Sequence, residues 1–122
     1  MTDPHDAAVE FHLPLKPVVF HILLALAKRQ YHAYGVIQAV RERSADLIHQ
    51  ETGPFYRHLR KLLDGGLVQE SAERPLNDDR RRGAYYRLTR LGREMVTAES
   101  RRLAGLVALT EELGLMSGGG TA

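Results

Sequence analysis

Residues 52–71 read TGPFYRHLRKLLDGGLVQES, and the fold turns on them. Between Thr52 and Gly65-Gly66 the large apolar residues Phe55, Leu59, Leu62 and Leu63 recur at helical spacing. At about 100° per residue, the three leucines fall within roughly 80° of Phe55. The same wheel sets Arg57 almost opposite, with Arg60 and Lys61 to either side of it. Thr52 has N-cap character, and Gly53 and Pro54 suit a first turn. Gly65-Gly66 predicts the helix end, because glycine takes the left-handed C-terminal conformation without steric cost. Past Gly66 the period changes: Leu67-Val68-Gln69-Glu70-Ser71 reads as a strand. A helix with an apolar inner face and a basic outer face therefore feeds directly into a strand.

Upstream, Pro17 suits the first turn of a helix, where its missing N–H leaves no bond unmade. The run VVFHILLALAKR that follows is apolar on nearly all sides, predicting a buried first helix of about 12 residues. His21, inside it, reads as a core histidine bonded to a backbone carbonyl. Tyr34 to Arg43 is a shorter amphipathic helix, with Val36, Ile37 and Val40 opposite Gln38, Arg41 and Glu42. SADLIHQE connects it to the third helix, with Leu47 and Ile48 placed to plug the turn. Downstream, Tyr85-Tyr86-Arg87-Leu88-Thr89 alternates as a strand, Tyr86 and Leu88 on one face and Tyr85 and Arg87 on the other. The polar connection ERPLNDDRRRGA reads as an extended hairpin tip. Thr89 is placed to cap a long helix from about Arg90 to Leu113.

The order is helix, helix, helix, strand, basic loop, strand, long helix. It describes a mainly α fold with a small two-stranded β-wing: a winged helix-turn-helix domain over residues 13–89 and a C-terminal dimerisation helix over 90–113. Residues 1–12 and 114–122 read as flexible termini.

With 122 residues, 43% of them hydrophobic, the chain fits one domain with an appended helix. The absence of cysteine excludes a disulfide framework, a thiolate metal site and a cysteine nucleophile. The longest apolar run, Val18 to Ala27, is far short of the roughly 20 residues that a membrane span needs. The acidic start MTDPHDAAVEFH is unlike a signal peptide, so a cytoplasmic protein is expected. The net charge is only +2, yet its distribution is uneven: residues 1–48 carry five basic and five acidic groups, 49–90 nine and six, and 91–122 three and four. A basic middle third points to a polyanion partner, the alternative being an ordinary solvated face.

Catalytic constellations are missing. There is no G-x-S-x-G, no G-x-x-x-x-G-K phosphate loop, and no H-x-x-x-H pair among His5, His12, His21, His32, His49 and His58. No enzyme, cofactor or metal site is expected. What the residues do form is a DNA-reading unit. A major groove admits a helix whose side chains reach base edges, while arginines, lysines and hydroxyls hold phosphates. The third helix offers its capped start at Thr52 and Gly53, then Tyr56, Arg57, His58, Arg60 and Lys61. The wing tip adds Arg80, Arg81 and Arg82 for an adjacent backbone or minor groove. A competing reading is a winged-helix protein-interaction module that has lost DNA binding, motivated by the near-neutral charge and by Asp78-Asp79 beside the arginines. The last helix carries Leu91, Met95, Leu103, Leu106, Leu109 and Leu113 along a stripe too wide for one hairpin to cover. It predicts a homodimer about a twofold axis, placing two recognition helices about 34 Å apart on a palindromic site in double-stranded DNA. The same stripe is also expected to touch the chain's own first helix.

Three stretches resemble the PadR-like transcriptional regulators: LKPVVFHILLALAKRQYHAYGVIQAV, TGPFYRHLRKLLDGGLVQES and RRGAYYRLTRLGREMV. The most specific pieces are Tyr56, Leu59 and Leu62 ending in Gly66-Leu67-Val68, and Tyr85 to Thr89 with Gly92. The resemblance implies a dimeric regulator, usually a repressor, released from its operator by a small aromatic or hydrophobic effector. It matches Thr52, Tyr56 and the residues around Arg57 to the DNA-reading helix, and His32 and Tyr34 to a His-Gly-Tyr element whose tyrosine touches phosphate. Ala33 stands where that element has glycine, and the wing arginines precede Gly83-Ala84 rather than abutting the tyrosines. An effector cavity is expected among Phe20, Leu103 and Leu106.

Overall fold

A computed structural model of the chain describes residues 13–48, 51–72 and 83–116. Its elements are α1 (Pro17–Lys28), β1 (Tyr31–His32), α2 (Ala33–Arg43), α3 (Thr52–Asp64), β2 (Val68–Ser71), β3 (Tyr85–Leu88) and α4 (Arg90–Glu112). Pro17 sits in the first turn of α1, and Lys28 in its last turn faces the negative end of the helix dipole. Val19, Ile22, Leu23, Ala25 and Leu26 of α1 are buried, and α2 and α3 close over them with Val36, Val40, Phe55, Leu59 and Leu62. Each Val, Leu, Ile or Phe side chain among them contributes about 1.5–3 kcal/mol by leaving water.

The sheet has one strand more than the sequence predicts. Tyr31–His32 pairs antiparallel with β3, Tyr31 opposite Tyr86 and His32 opposite Tyr85, giving the order β1-β3-β2. On the other side of β3, Val68 lies opposite Leu88 and Gln69 opposite Arg87. Two residues make too short a run for alternation to reveal β1. His32 also ends the strand by capping α2: its Nδ1 accepts from the Gly35 amide at 2.9 Å. Helix α2 thus begins at Ala33, which is buried, so alanine is accommodated at the position where the resembled element has glycine.

Other boundaries shift for local reasons. The N-cap of α3 is Glu51, with no side-chain bond, and Thr52 is the first helical residue rather than the cap. At the other end Gly65 stays right-handed, and it is Gly66, at φ 77°, that reverses the chain. The Gly66 amide then donates to Leu63 O at 3.1 Å and the Leu67 amide to Leu62 O at 3.0 Å, satisfying the last carbonyls. The same pair of bonds ends α2, where Ala45 and Asp46 donate to Glu42 O and Arg41 O. There the left-handed residues are Ala45, at φ 52°, and Asp46, at φ 65°. Of the two residues expected to plug this turn, Ile48 packs on the core and Leu47 is 81% exposed. His21 is half-buried and its imidazole makes no hydrogen bond among the described residues, so the expected carbonyl partner is not found there.

Thr89 organises the junction between sheet and last helix. Its Oγ1 accepts from the Gly92 amide at 3.0 Å and donates to Gly66 O at 2.6 Å, while its amide donates to Leu67 O at 3.0 Å. Gly92 consequently lies against the Leu67 carbonyl: a Cβ there would stand 2.2 Å from that oxygen. Further along α4, Met95 and Val96 pack on the core. Glu99, 2% exposed, accepts from the Leu15 amide at 2.9 Å and is paired by Arg102. Beyond Leu103 the helix leaves the body of the molecule, and Leu106, Leu109 and Leu113 are exposed.

Two substitutions test this account. Gly92→Ala is expected to destabilise the fold by about 2 kcal/mol or more, because the clash is with backbone that has no rotamer to yield. Ala45→Gly is expected to stabilise it by about 0.5–1 kcal/mol by relieving a left-handed alanine. Urea midpoints of the two variants, moving in opposite directions, check both.

Candidate nucleic-acid interface

The surface of α3 divides as the helical wheel requires. Phe55, Leu59 and Leu62 are buried, and Thr52, Gly53, Tyr56, Arg57, Arg60 and Lys61 are exposed. Among the described residues Arg57 and Lys61 have no ion pair, and Arg60 reaches Asp64 only at 3.9 Å with both side chains largely in water. Such a pair contributes little and leaves the guanidinium available to another anion. The Tyr56 ring stands edge-on to Phe55 at 5.5 Å, which fixes its base while leaving the side chain half exposed.

His58 lies at the border of the two faces, half-buried. Burial, then the positive charges of Lys16, Lys61 and Arg57, hold its imidazole below the usual range. The Lys16 charge identifies a residue the sequence reading does not select: Lys16 immediately precedes α1, yet the fold brings it within electrostatic reach of α3. On the opposite flank, Tyr86 lies within reach of Glu70, Tyr56 and Arg60; burial and then Glu70 push its phenol upward. The α3 cations thus run from the start of α1 toward the sheet.

Tyr34, in the first turn of α2, is 58% exposed, and its hydroxyl accepts from Gln38 Nε2 at 3.3 Å. On the outer face of β3, Arg87 sits over its cross-strand partner Gln69, whose amide oxygen accepts from Nε at 2.6 Å and from the terminal nitrogen at 2.5 Å. This second cation was not selected from sequence either; the strand alternation placed it outward without indicating that a partner would hold it. Arg80, Arg81 and Arg82 lie outside the described residues. The structure therefore brings together Tyr56, Arg57, His58, Arg60 and Lys61 on one helix, and it sets Tyr34 on the helix before.

Of the proposed dimerisation residues, Leu91, Met95 and Leu103 are half-buried, whereas Leu106, Leu109 and Leu113 are 48%, 49% and 65% exposed. Among the described residues no three or more His, Asp or Glu side chains converge as a metal site, and no helix is long and apolar enough to cross a membrane.

A family model described as the transcriptional regulator PadR-like family matches residues 22–98, which is 77 of 122 residues. Among solved structures, a transcriptional regulator from Clostridium thermocellum superposes with a TM-score of 0.63 at 17% identity, over 78% of this chain and 87% of that one. RosR from H. salinarum gives a TM-score of 0.56 at 20% identity, over 83% and 97%. At these identities the likeness is one of fold. No curated protein matches the sequence.

The burial of His58, together with its cationic surroundings, sets a pH dependence. Its folded imidazole titrates below the unfolded value of 6.5, so as the pH falls through 6.5 the unfolded chain takes up its proton first. Stability is expected to fall from about pH 6.5 downward until the folded imidazole is itself protonated. His58→Gln should remove that part of the slope in urea titrations at stepped pH; an unchanged slope would show that other groups carry it.

Proposed function

The chain belongs to the PadR-like family of transcriptional regulators, and on that premise we propose that it is a homodimeric, ligand-responsive repressor that binds a palindromic operator. The observation that carries this reading is the α3 surface: an exposed run of Tyr56, Arg57, Arg60 and Lys61 backed by a fully buried Phe55 and Leu62. A helix so divided presents rigid side chains to a major groove while its other face is locked into the core.

Roles follow from position. Gly53, with no side chain, lets the start of α3 approach the groove. Arg57 points directly away from the core and has no ion pair among the described residues, which suits it to a base edge; a guanidinium reads guanine O6 and N7 bidentately. Arg60 and Lys61 flank it and hold phosphates on either side, with Thr52, Tyr56 and His58 at the margins. Tyr34, on α2, meets the backbone with its hydroxyl. Arg80, Arg81 and Arg82 of the wing contact a neighbouring backbone or minor groove. The exposed half of α4 pairs with a second copy, setting the two α3 helices at duplex pitch, about 34 Å. A small aromatic or hydrophobic effector, held near Phe20, Leu103 and Leu106, alters that spacing and releases the DNA. In this reading the protein works in the cytoplasm and performs no catalysis.

Footprinting on DNA upstream of the protein's own coding region identifies the operator, after which anisotropy titrations separate the roles. Arg57→Ala is expected to cost about 1–3 kcal/mol on the operator and to relax the preference at one base position. Arg81→Ala is expected to weaken specific and bulk DNA alike and to shallow the slope of log K against log salt by about 1. Unchanged affinity in both variants would assign DNA binding to another surface.

A further inference from the structure

Lys16 is a cation with no carboxylate of its own. It is exposed, stands at the N-cap of α1 without a side-chain bond, and has no ion pair among the described residues. The first turn of α1 has no acidic residue, so nothing there offsets the lysine against the positive pole of the helix. Its charge acts on His58 ahead of those of Lys61 and Arg57. Arg57 and Lys61 are themselves four residues apart on α3, a like-charge spacing that works against a helix. Three cations from two elements thus surround one imidazole, and no carboxylate among the described residues offsets them at that ring.

The backbone of Lys16 is tied on both sides. Its carbonyl accepts from the Phe20 amide at 3.0 Å, the first bond of α1. The preceding residue, Leu15, is buried in the core and donates its amide to Glu99 Oε2 at 2.9 Å. Glu99 lies in the middle of α4, 84 residues further along the chain, and is 2% exposed. Arg102, one turn on, donates to both carboxylate oxygens, with its terminal nitrogen 3.1 Å from the same Oε2. These bonds hold the carboxyl below the usual carboxylate range, so it is ionised, and the tie made, at neutral pH. Stability alone does not call for such a pair, since apolar residues of similar size often serve a core as well. A leucine at position 99, however, could not accept from the Leu15 amide. The carboxylate therefore fixes where the chain enters α1, and with it the point from which the Lys16 side chain extends.

We infer that Lys16 is a further DNA contact, a phosphate-holding cation at the edge of the α3 surface, and that Glu99 is its positioning residue. The inference rests on the DNA-binding reading and adds to it a contact from outside α3 and the wing. A phosphate beside Lys16 accepts from its ammonium and relieves the repulsion among the three cations. Lysine meets phosphate as a point charge, so the contact strengthens binding to every sequence and does not choose a base. Ordering a long side chain costs part of what the contact contributes; a backbone already held by Glu99 confines that cost to the side chain. Helix α4 in this way takes part in DNA binding without touching DNA.

Anisotropy titrations of the full chain on the operator and on unrelated duplex DNA, at stepped salt, test both parts. Lys16→Ala is expected to weaken the two duplexes alike, about threefold to tenfold at low salt. The slope of log K against log salt should become shallower by about 1 for each protomer bound. Glu99→Leu, which removes the acceptor, is expected to weaken binding by about twofold to fivefold, and adding Lys16→Ala to it to cost almost nothing further. Glu99→Gln, nearly the same shape, provides a milder background that keeps the fold, and there the cost of Lys16→Ala is expected to shrink partway. A purely structural Glu99 would lower the urea midpoint and leave the cost of Lys16→Ala undiminished in both backgrounds, which overturns the positioning role. Unchanged affinity and slope in Lys16→Ala, while Arg57→Ala still weakens the operator, overturns the contact and leaves the DNA-binding reading standing. A parent chain that binds neither duplex overturns both.

Discussion

The approach of Gly92 to the Leu67 carbonyl governs how the pieces of this molecule are oriented. Three elements meet at that oxygen: α3 ends just before it, β2 begins just after it, and the first turn of α4 lies on it. Thr89 fastens the contact through Gly66 O and Leu67 O, and it caps α4 through the Gly92 amide. One side chain and two backbone strands are thereby satisfied together, with no methyl group of slack. The basic face of α3 consequently has a fixed direction relative to α4. A helix that merely packed its leucines on a core could roll by tens of degrees; this one is pinned at its C-terminal end by hydrogen bonds.

A second tie lies at the far side of α4. Glu99 is the one charged side chain buried among the described residues, and it accepts from the amide of Leu15, the residue before Lys16. The hydrogen bonds from Arg102 hold its carboxyl below the usual range despite burial, which acts the other way. An ionised carboxylate is the stronger acceptor for a backbone amide, so the pairing with Arg102 also firms the hold on Leu15. The effect reaches the candidate interface, because Lys16 lies within electrostatic reach of His58. Helix α4 thus positions both the end of α3 and a cation beside its middle.

What could be read from the sequence followed from periodicity, and what could not followed from contacts between distant residues. The wheel of residues 55–63 gave α3 its inner and outer faces because a 3.6-residue period is a local property. The strand at 85–88 and the cap at Thr89 were legible for the same reason, since alternation and a hydroxyl before an apolar run need no tertiary information. Residues 31–32 showed no strand signal, being defined only by pairing with β3, 54 residues further on. The His32 cap escaped because histidine ranks low among capping residues and acts here through a ring nitrogen. Glu99 reads as one more polar position on a charged helix; only the fold reveals the Leu15 amide that it meets. Lys16 joined the cationic surface in the same manner, by tertiary proximity, and Arg87 found its Gln69 partner only through strand pairing.

The junction also explains how a change at one end of the molecule can reach the other. In the proposed dimer, two α3 helices must present their arginines to successive turns of one duplex, a requirement set by separation and by angle. Each α3 is coupled to its own α4 through the Gly92–Leu67 contact, which transmits rotation because no side chain lies between the two backbones to absorb it. A small rotation of α4 against its partner therefore reappears as a change in the angle of α3. Phe20 and Leu103 are half-buried at the edge of the core, where α4 begins to leave it. In the proposed reading the effector would meet the helix there, where its own chain stops holding it, and would act first on the unsupported half. Only differential affinity for the two helix arrangements can shift the equilibrium between them.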